Sequence, residues 1–132
     1  MIIVDERLFL KRTGNIFSNQ RKRAAKDYQR LGYTLAELRQ KARVASNCPF
    51  CQCCLTTECF SLDHRKPVAR GGSWNLDNLA VCCRRCNEVK HVLDNDEMAA
   101  LIAVVLRMSP QAQSSIFTRL RAGPVYRGKV KR

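Results

Sequence analysis

The sequence predicts an α+β fold, mostly helical, with a small metal-stapled centre between helical flanks. Three observations carry this. All eight cysteines fall between Cys48 and Cys86. Apolar residues recur at helical spacing on both sides of that stretch. The formal net charge of +13 sits mainly on the flanks: residues 1–45 carry a net +7, residues 46–93 only +2 and residues 94–132 a net +4. The chain has 132 residues, 45% of them apolar and 27% charged, so it is too apolar for disorder and long enough for one compact domain. The longest apolar run, Met98 to Leu106, is far short of the roughly 20 residues of a spanning helix. The opening MIIVDERLFLKR lacks the long apolar core of a secretory signal. A cytoplasmic protein with no membrane partner is expected.

In chain order, Ile2-Ile3-Val4 through Leu8-Phe9-Leu10 reads as a short strand or hairpin. Ala24, Tyr28, Leu31, Leu35, Leu38, Ala42 and Ala45 then recur at spacings of four and three and draw one apolar stripe. Gly32 interrupts the stripe, and Thr34-Leu-Ala-Glu37 reads as a capping box. Two helices, about 19–31 and 35–45, or one helix bent at Gly32, are expected. Beyond the cysteine-rich centre, Asp94 or Asn95 caps a helix running to about Met108. Ser109-Pro110 opens another that ends at Gly123-Pro124, before a basic tail from Val125. This divides the unit into a basic helical extension (1–47), a core (48–93) and a C-terminal helical segment (94–132).

Cys48-Pro-Phe-Cys51 and Cys83-Arg-Arg-Cys86 are two CxxC knuckles. In a reducing compartment a disulfide framework is disfavoured, and four thiolates on two tight turns complete a tetrahedral structural zinc site. Cys54 makes an overlapping CxxC with Cys51, so the first knuckle admits more than one ligand choice. Cys53, Cys59 and Cys82 read as packing residues or bystanders. Basic flanks around a near-neutral centre point to a polyanion gripped at the edges of a site, with nucleic acid the favoured partner. The exposed helix faces offer Arg21, Lys22, Arg23 and Lys26 for phosphate contact.

The insert between the knuckles is the informative part. It holds Asp63-His64, Pro67, Gly71-Gly72 and Asn78-Leu79, and leads into Cys83-Arg-Arg-Cys86-Asn87 and Lys90. In this ordered set the sequence resembles the HNH (ββα-metal) endonucleases of the zinc-knuckle type, over Cys48 to about Lys90. The helical stretch Thr34 to Ala45 is similar to what often precedes that core in phage-type members. The resemblance implies a ββα-metal core with structural zinc and helical flanks. Asp63-His64 then suits a strand terminus, Leu79 to Cys82 a second strand, and a helix starts near Asn87.

The same resemblance implies His64 as general base, with Asn78 orienting its imidazole through side chain or backbone. It implies Asp63 and Asn87 as oxygen ligands of a catalytic divalent ion, Mg²⁺ or Mn²⁺. His91, four residues after Asn87, is either a further ligand, which extends tolerance to Ni²⁺ or Co²⁺, or a helix-surface histidine. Arg65, Lys66, Arg84, Arg85 and Lys90 lie near the site in sequence and are candidate phosphate clamps. No aromatic cluster points to base stacking, and Trp74 reads as an anchor or a groove contact. The expected function is metal-dependent hydrolysis of DNA, duplex favoured, nicking as a monomer or cutting both strands as a homodimer, in a prokaryotic or phage-infected cytoplasm. The alternative is a noncatalytic zinc-dependent nucleic-acid-binding module.

Overall fold

Asp5 and Glu6 decide what the opening segment becomes. The Asp5 carboxylate accepts a hydrogen bond from Leu8 N at 3.0 Å, and Glu6 stands in the first turn, where the helix dipole favours negative charge. In the computed structural model, which describes residues 1–122, helix α1 runs from Glu6 to Lys26. This corrects the strand or hairpin expected over residues 2–10: Leu8 to Leu10 lie inside α1, and Ile2 makes only an isolated bridge with Thr56. A short apolar alternation gives way to a capped helix of 21 residues that buries Phe9, Thr13, Gln20 and Ala24 along one stripe. The helix ends at Lys26 rather than near residue 31, and Tyr28, placed in the apolar stripe from sequence, is almost wholly exposed.

Helix α2 (Leu35–Val44) starts at the expected capping box, with Thr34 Oγ1 accepting from Glu37 N and Glu37 Oε2 accepting from Thr34 N. Gly32 breaks the helical run for a long-range reason. Its N–H donates to Trp74 O at 3.0 Å, and a Cβ there would lie 2.2 Å from Asn75 Oδ1. A side chain there would have to push the Asn75 amide aside and would stand 3.2 Å from Asn75 Cα, so glycine eases this close approach.

Strand β1 (Phe60–His64) pairs antiparallel with β2 (Leu79–Cys83), with Phe60 opposite Cys83 and His64 opposite Leu79. The strand pair ends on His64, as expected. Residues 65–78 form the connection, with 3₁₀ turns at Val68–Arg70 and Leu76–Asn78. At Gly72 a Cβ would stand 1.9 Å from Lys66 O, so this loop closes tightly over its own backbone. Helix α3 (Arg84–Lys90) follows β2 directly, which corrects the expected start near Asn87. Cys83 itself is the N-cap, its Sγ accepting from Cys86 N at 3.4 Å, so the second knuckle and the first helical turn are one structure.

Helices α4 (Asn95–Val105) and α5 (Pro110–Arg121) carry the expected caps at Asp94 and Ser109, although α4 stops before Met108. The end expected at Gly123-Pro124 and the tail from Val125 lie outside the described residues. The core gathers Phe9, Leu38, Phe60, Leu79, Met98 and Val105 from all parts of the chain. Arg12 latches α1 to β1: its guanidinium donates to Thr57 O (2.5 Å) and Phe60 O (2.7 Å) and lies 4.3 Å from the Phe60 ring centre. Among the described residues no helix is long and apolar enough to cross a membrane.

Candidate functional site

Two sites are built on the ββα unit, one from sulfur and one from oxygen and nitrogen. The sulfur atoms of Cys48, Cys51, Cys83 and Cys86 all lie within 4.8 Å of one another. Tetrahedral zinc with Zn–S of about 2.3 Å requires sulfur atoms about 3.8 Å apart, and the Cys51 and Cys83 sulfurs stand 3.7 Å apart. The first knuckle is a tight turn closed by Gln52 N to Cys48 O (3.0 Å), with Gln52 in the left-handed region at φ +66°. Hydrogen bonds from Cys83 and Cys86 hold the Cys48 thiol far below its ordinary range, and the same bonds push Cys86 and Cys83 up. Four sulfurs this close repel one another as thiolates, so they share protons when no cation is bound, and a divalent cation at their centre would supply the missing counter-charge. Cys54 is exposed and outside the group, which settles the overlapping CxxC. Cys82 is wholly buried beside the cluster, its thiol pushed up by burial.

The second site is a cleft of about 220 Å³ lined by Asp63, His64, Asn87, His91, Gln20 and Arg23, among others. The structure thus brings together Asp63, His64, Asn87, His91 and Arg23, all named from sequence, and adds Gln20 from α1. His64 is 5% exposed and sits edge-on to Trp74, with ring centres 5.1 Å apart at 87°. Its Nε2 is buried with no hydrogen-bond partner, and so is Gln20 Oε1. Two unpaired polar atoms beside one small cleft mark a place built for a polar ligand. Burial lowers the His64 pKa below its usual value, the Arg23 charge adds to this, and Asp63 opposes it. The imidazole is therefore neutral at pH 7.

Lys90 is the main correction to the candidate residues. Expected as an exposed phosphate clamp, it is wholly buried. Its ammonium donates to His64 O at 2.8 Å and lies 2.6 Å from Asp63 Oδ2. A residue with this burial reaches no phosphate. It ties α3 to the end of β1 and balances the Asp63 charge. Lys90→Met leaves that largely buried carboxylate unpaired and is expected to cost about 3 kcal/mol in denaturant unfolding, with zinc content unchanged. A surface phosphate contact would instead leave stability intact.

The same cleft carries oxygen and nitrogen donors, although among the described residues the four cysteines are the group of His, Cys, Asp and Glu ligand atoms that lies close enough together to hold an ion. Asp63 and Asn87 offer oxygen, and His91 offers imidazole nitrogen on the same cleft. The Asn87 amide donates its Nδ2 to Ser61 Oγ at 2.6 Å, which fixes the group and keeps its carbonyl oxygen out of that bond. The Lys90 ammonium beside Asp63 is itself a cation held by that carboxylate. His91 reaches the cleft as the cap of α3 at φ +46°, beyond the helix on which it was expected.

Asn78 is placed differently from expectation. Its amide accepts from Lys66 N (3.0 Å) and donates to Lys66 O (3.0 Å) and Ser73 O (2.9 Å), and its backbone O accepts from Arg65 N (2.7 Å). It staples the loop that carries Trp74 and makes no bond to the imidazole. Of the basic candidates, Arg23 lines the cleft and lies 5.6 Å from the Trp74 ring centre, while Lys22 and Lys26 line the adjoining surface. Arg21, Arg65 and Lys66 are exposed away from the cleft lining. Arg84 donates to Glu58 O and Arg85 stacks on Phe117 at 4.5 Å, so neither joins it. Sequence reasoning missed Gln20, which lines the cleft with His64, and Arg12, whose partners Thr57 and Phe60 lie 45 and 48 residues away.

No curated protein matches the chain. Residues 51–93 match the family model of the HNH endonucleases, about a third of the chain and the part that holds β1, β2, α3 and three of the four clustered cysteines. The chain therefore carries an HNH endonuclease domain over residues 51–93.

Proposed function

We propose that the chain is a metal-dependent DNA endonuclease with a structural zinc ion at Cys48, Cys51, Cys83 and Cys86. The observation that supports this most is the buried, unpartnered Nε2 of a neutral His64 beside a cleft lined by Asp63, Asn87 and Arg23. Water loses a proton to His64 Nε2 as its oxygen attacks phosphorus, and the bond from phosphorus to the 3′ oxygen breaks. The leaving 3′ oxygen takes a proton from solvent water and His64 later returns its own to solvent, giving 5′-phosphate and 3′-hydroxyl ends. Trp74 and the strand end keep the imidazole in place, and Arg23 offers positive charge to the phosphate. Asp63 and Asn87, with His91 as a further donor, would hold a divalent ion, which would supply charge stabilisation for the phosphoryl transfer. With one such site per chain, a monomer nicks, and two copies or two events cut a duplex.

Plasmid nicking with added Mg²⁺ or Mn²⁺ tests this, followed across pH. Because the base must be neutral, the rate rises as pH climbs through the His64 pKa and then levels off. Burial places that midpoint below 6.5 in kcat/KM. A rate independent of pH between 4.5 and 7.5 would remove His64 from the base role. The noncatalytic reading gains from one observation, the Lys90 ammonium already balancing Asp63. Binding without cleavage across metals and DNA forms would select it.

A further inference from the structure

The cleft opens into a larger groove of about 880 Å³ that shares Arg23, Val68 and Ala69 with it. One wall is the end of α1, where Arg23, Lys26 and Arg30 outnumber the single carboxylate, Asp27. The other wall is the 68–75 loop with Trp74. Tyr28, 97% exposed and at φ +56°, stands at the rim between Asp27 and Gln29, which line the groove, and is not itself part of the lining. The backbone around it is a Schellman ending: Tyr28 N donates to Ala25 O (3.1 Å) and Gln29 N to Ala24 O (2.8 Å). Glycine is the usual residue at that left-handed position, because a Cβ is disfavoured there. A tyrosine at this site buries almost nothing, so neither packing nor backbone preference accounts for it.

An exposed aromatic ring beside a row of cations, next to a phosphate-cleaving cleft, has the chemistry that binds a nucleic-acid strand. The cations follow the backbone, and the ring stacks on a base. We infer that the groove is the track of the DNA strand flanking the scissile phosphate, with Arg23, Lys26 and Arg30 on phosphates and Tyr28 stacked on a base. This rests on the nuclease reading and adds the path of the strand to it. An open base face is needed, so the contact favours a single strand, a gap or a frayed end over continuous duplex.

The test uses the full zinc-loaded chain without added divalent ions. It is titrated into a single-stranded oligonucleotide carrying 2-aminopurine at successive positions, and into the matching blunt duplex. The wild-type chain and Tyr28→Phe quench the fluorescence at one position. Tyr28→Gly does not, and it binds the single strand roughly 5- to 150-fold more weakly. Its slope of log affinity against log salt stays unchanged, because no phosphate contact is lost. Its melting temperature is equal to or above wild type, which separates lost contact from lost fold. Arg30→Ala instead lowers the salt slope by about one. Tyr28→Gly binding and quenching like wild type overturns the inference alone. Failure of the wild-type chain to bind either oligonucleotide overturns it together with the nuclease reading.

Discussion

His64→Ala lowers plasmid nicking by about 10²- to 10⁴-fold, the usual contribution of a positioned general base. DNA affinity and zinc content stay at wild-type levels. The imidazole lies against Trp74 at the end of β1 and makes no hydrogen bond through Nε2. Its removal therefore deletes a proton acceptor without breaking a network. It also opens a small void beside Trp74, so His64→Gln, which fills more of the space, serves as the companion variant. Both variants should lose the pH-dependent limb of the rate, and His64→Gln should melt closer to wild type. Nicking retained by both at more than a tenth of the native rate would assign the base elsewhere.

Stripping the sulfur site has the larger structural effect. Structural zinc in small domains contributes about 10–16 kcal/mol of apparent binding free energy at neutral pH, and that energy is folding energy. Here the knuckles join the turn before β1 to the cap of α3, and the sheet they hold has only two strands. A strong chelator, or Cys86→Ser at the buried ligand, is expected to unfold the unit rather than weaken it locally. The loss should spread to α1, because Phe9 packs on Phe60 at 5.9 Å and Arg12 is bonded to Thr57 O and Phe60 O. Circular dichroism during chelation, with released zinc measured in parallel, checks this. A chain that keeps its helicity and melting temperature after zinc leaves has a fold that does not depend on it.

What the sequence by itself determined is what a few neighbouring residues can decide. The caps at Thr34 with Glu37, Asp94 with Glu97 and Ser109 with Ala112 are bonds across three residues, so their geometry is written locally. Knuckle spacing named Cys48, Cys51, Cys83 and Cys86 while leaving Cys54 as an alternative, and the resemblance carried by the order of Asp63, His64, Asn78 and Asn87 implied a strand pair ending at His64. The opening helix was missed although its cap, Asp5, is also local, because an apolar run of a few residues fits strand and helix equally well. Packing on Phe60 decides between them.

Tertiary structure alone decided who surrounds the imidazole. Gln20 and Arg23 reach His64 from a helix some forty residues earlier, and no spacing rule links them. It also decided the role of Lys90. In sequence a lysine beside a polar helix end reads as a solvated cation. Placing α3 beneath the end of β1 removes its water, and the Asp63 carboxylate and His64 carbonyl replace it. Charge type is set by the residue. Whether that charge meets solvent, DNA or a buried partner is set by what packs over it.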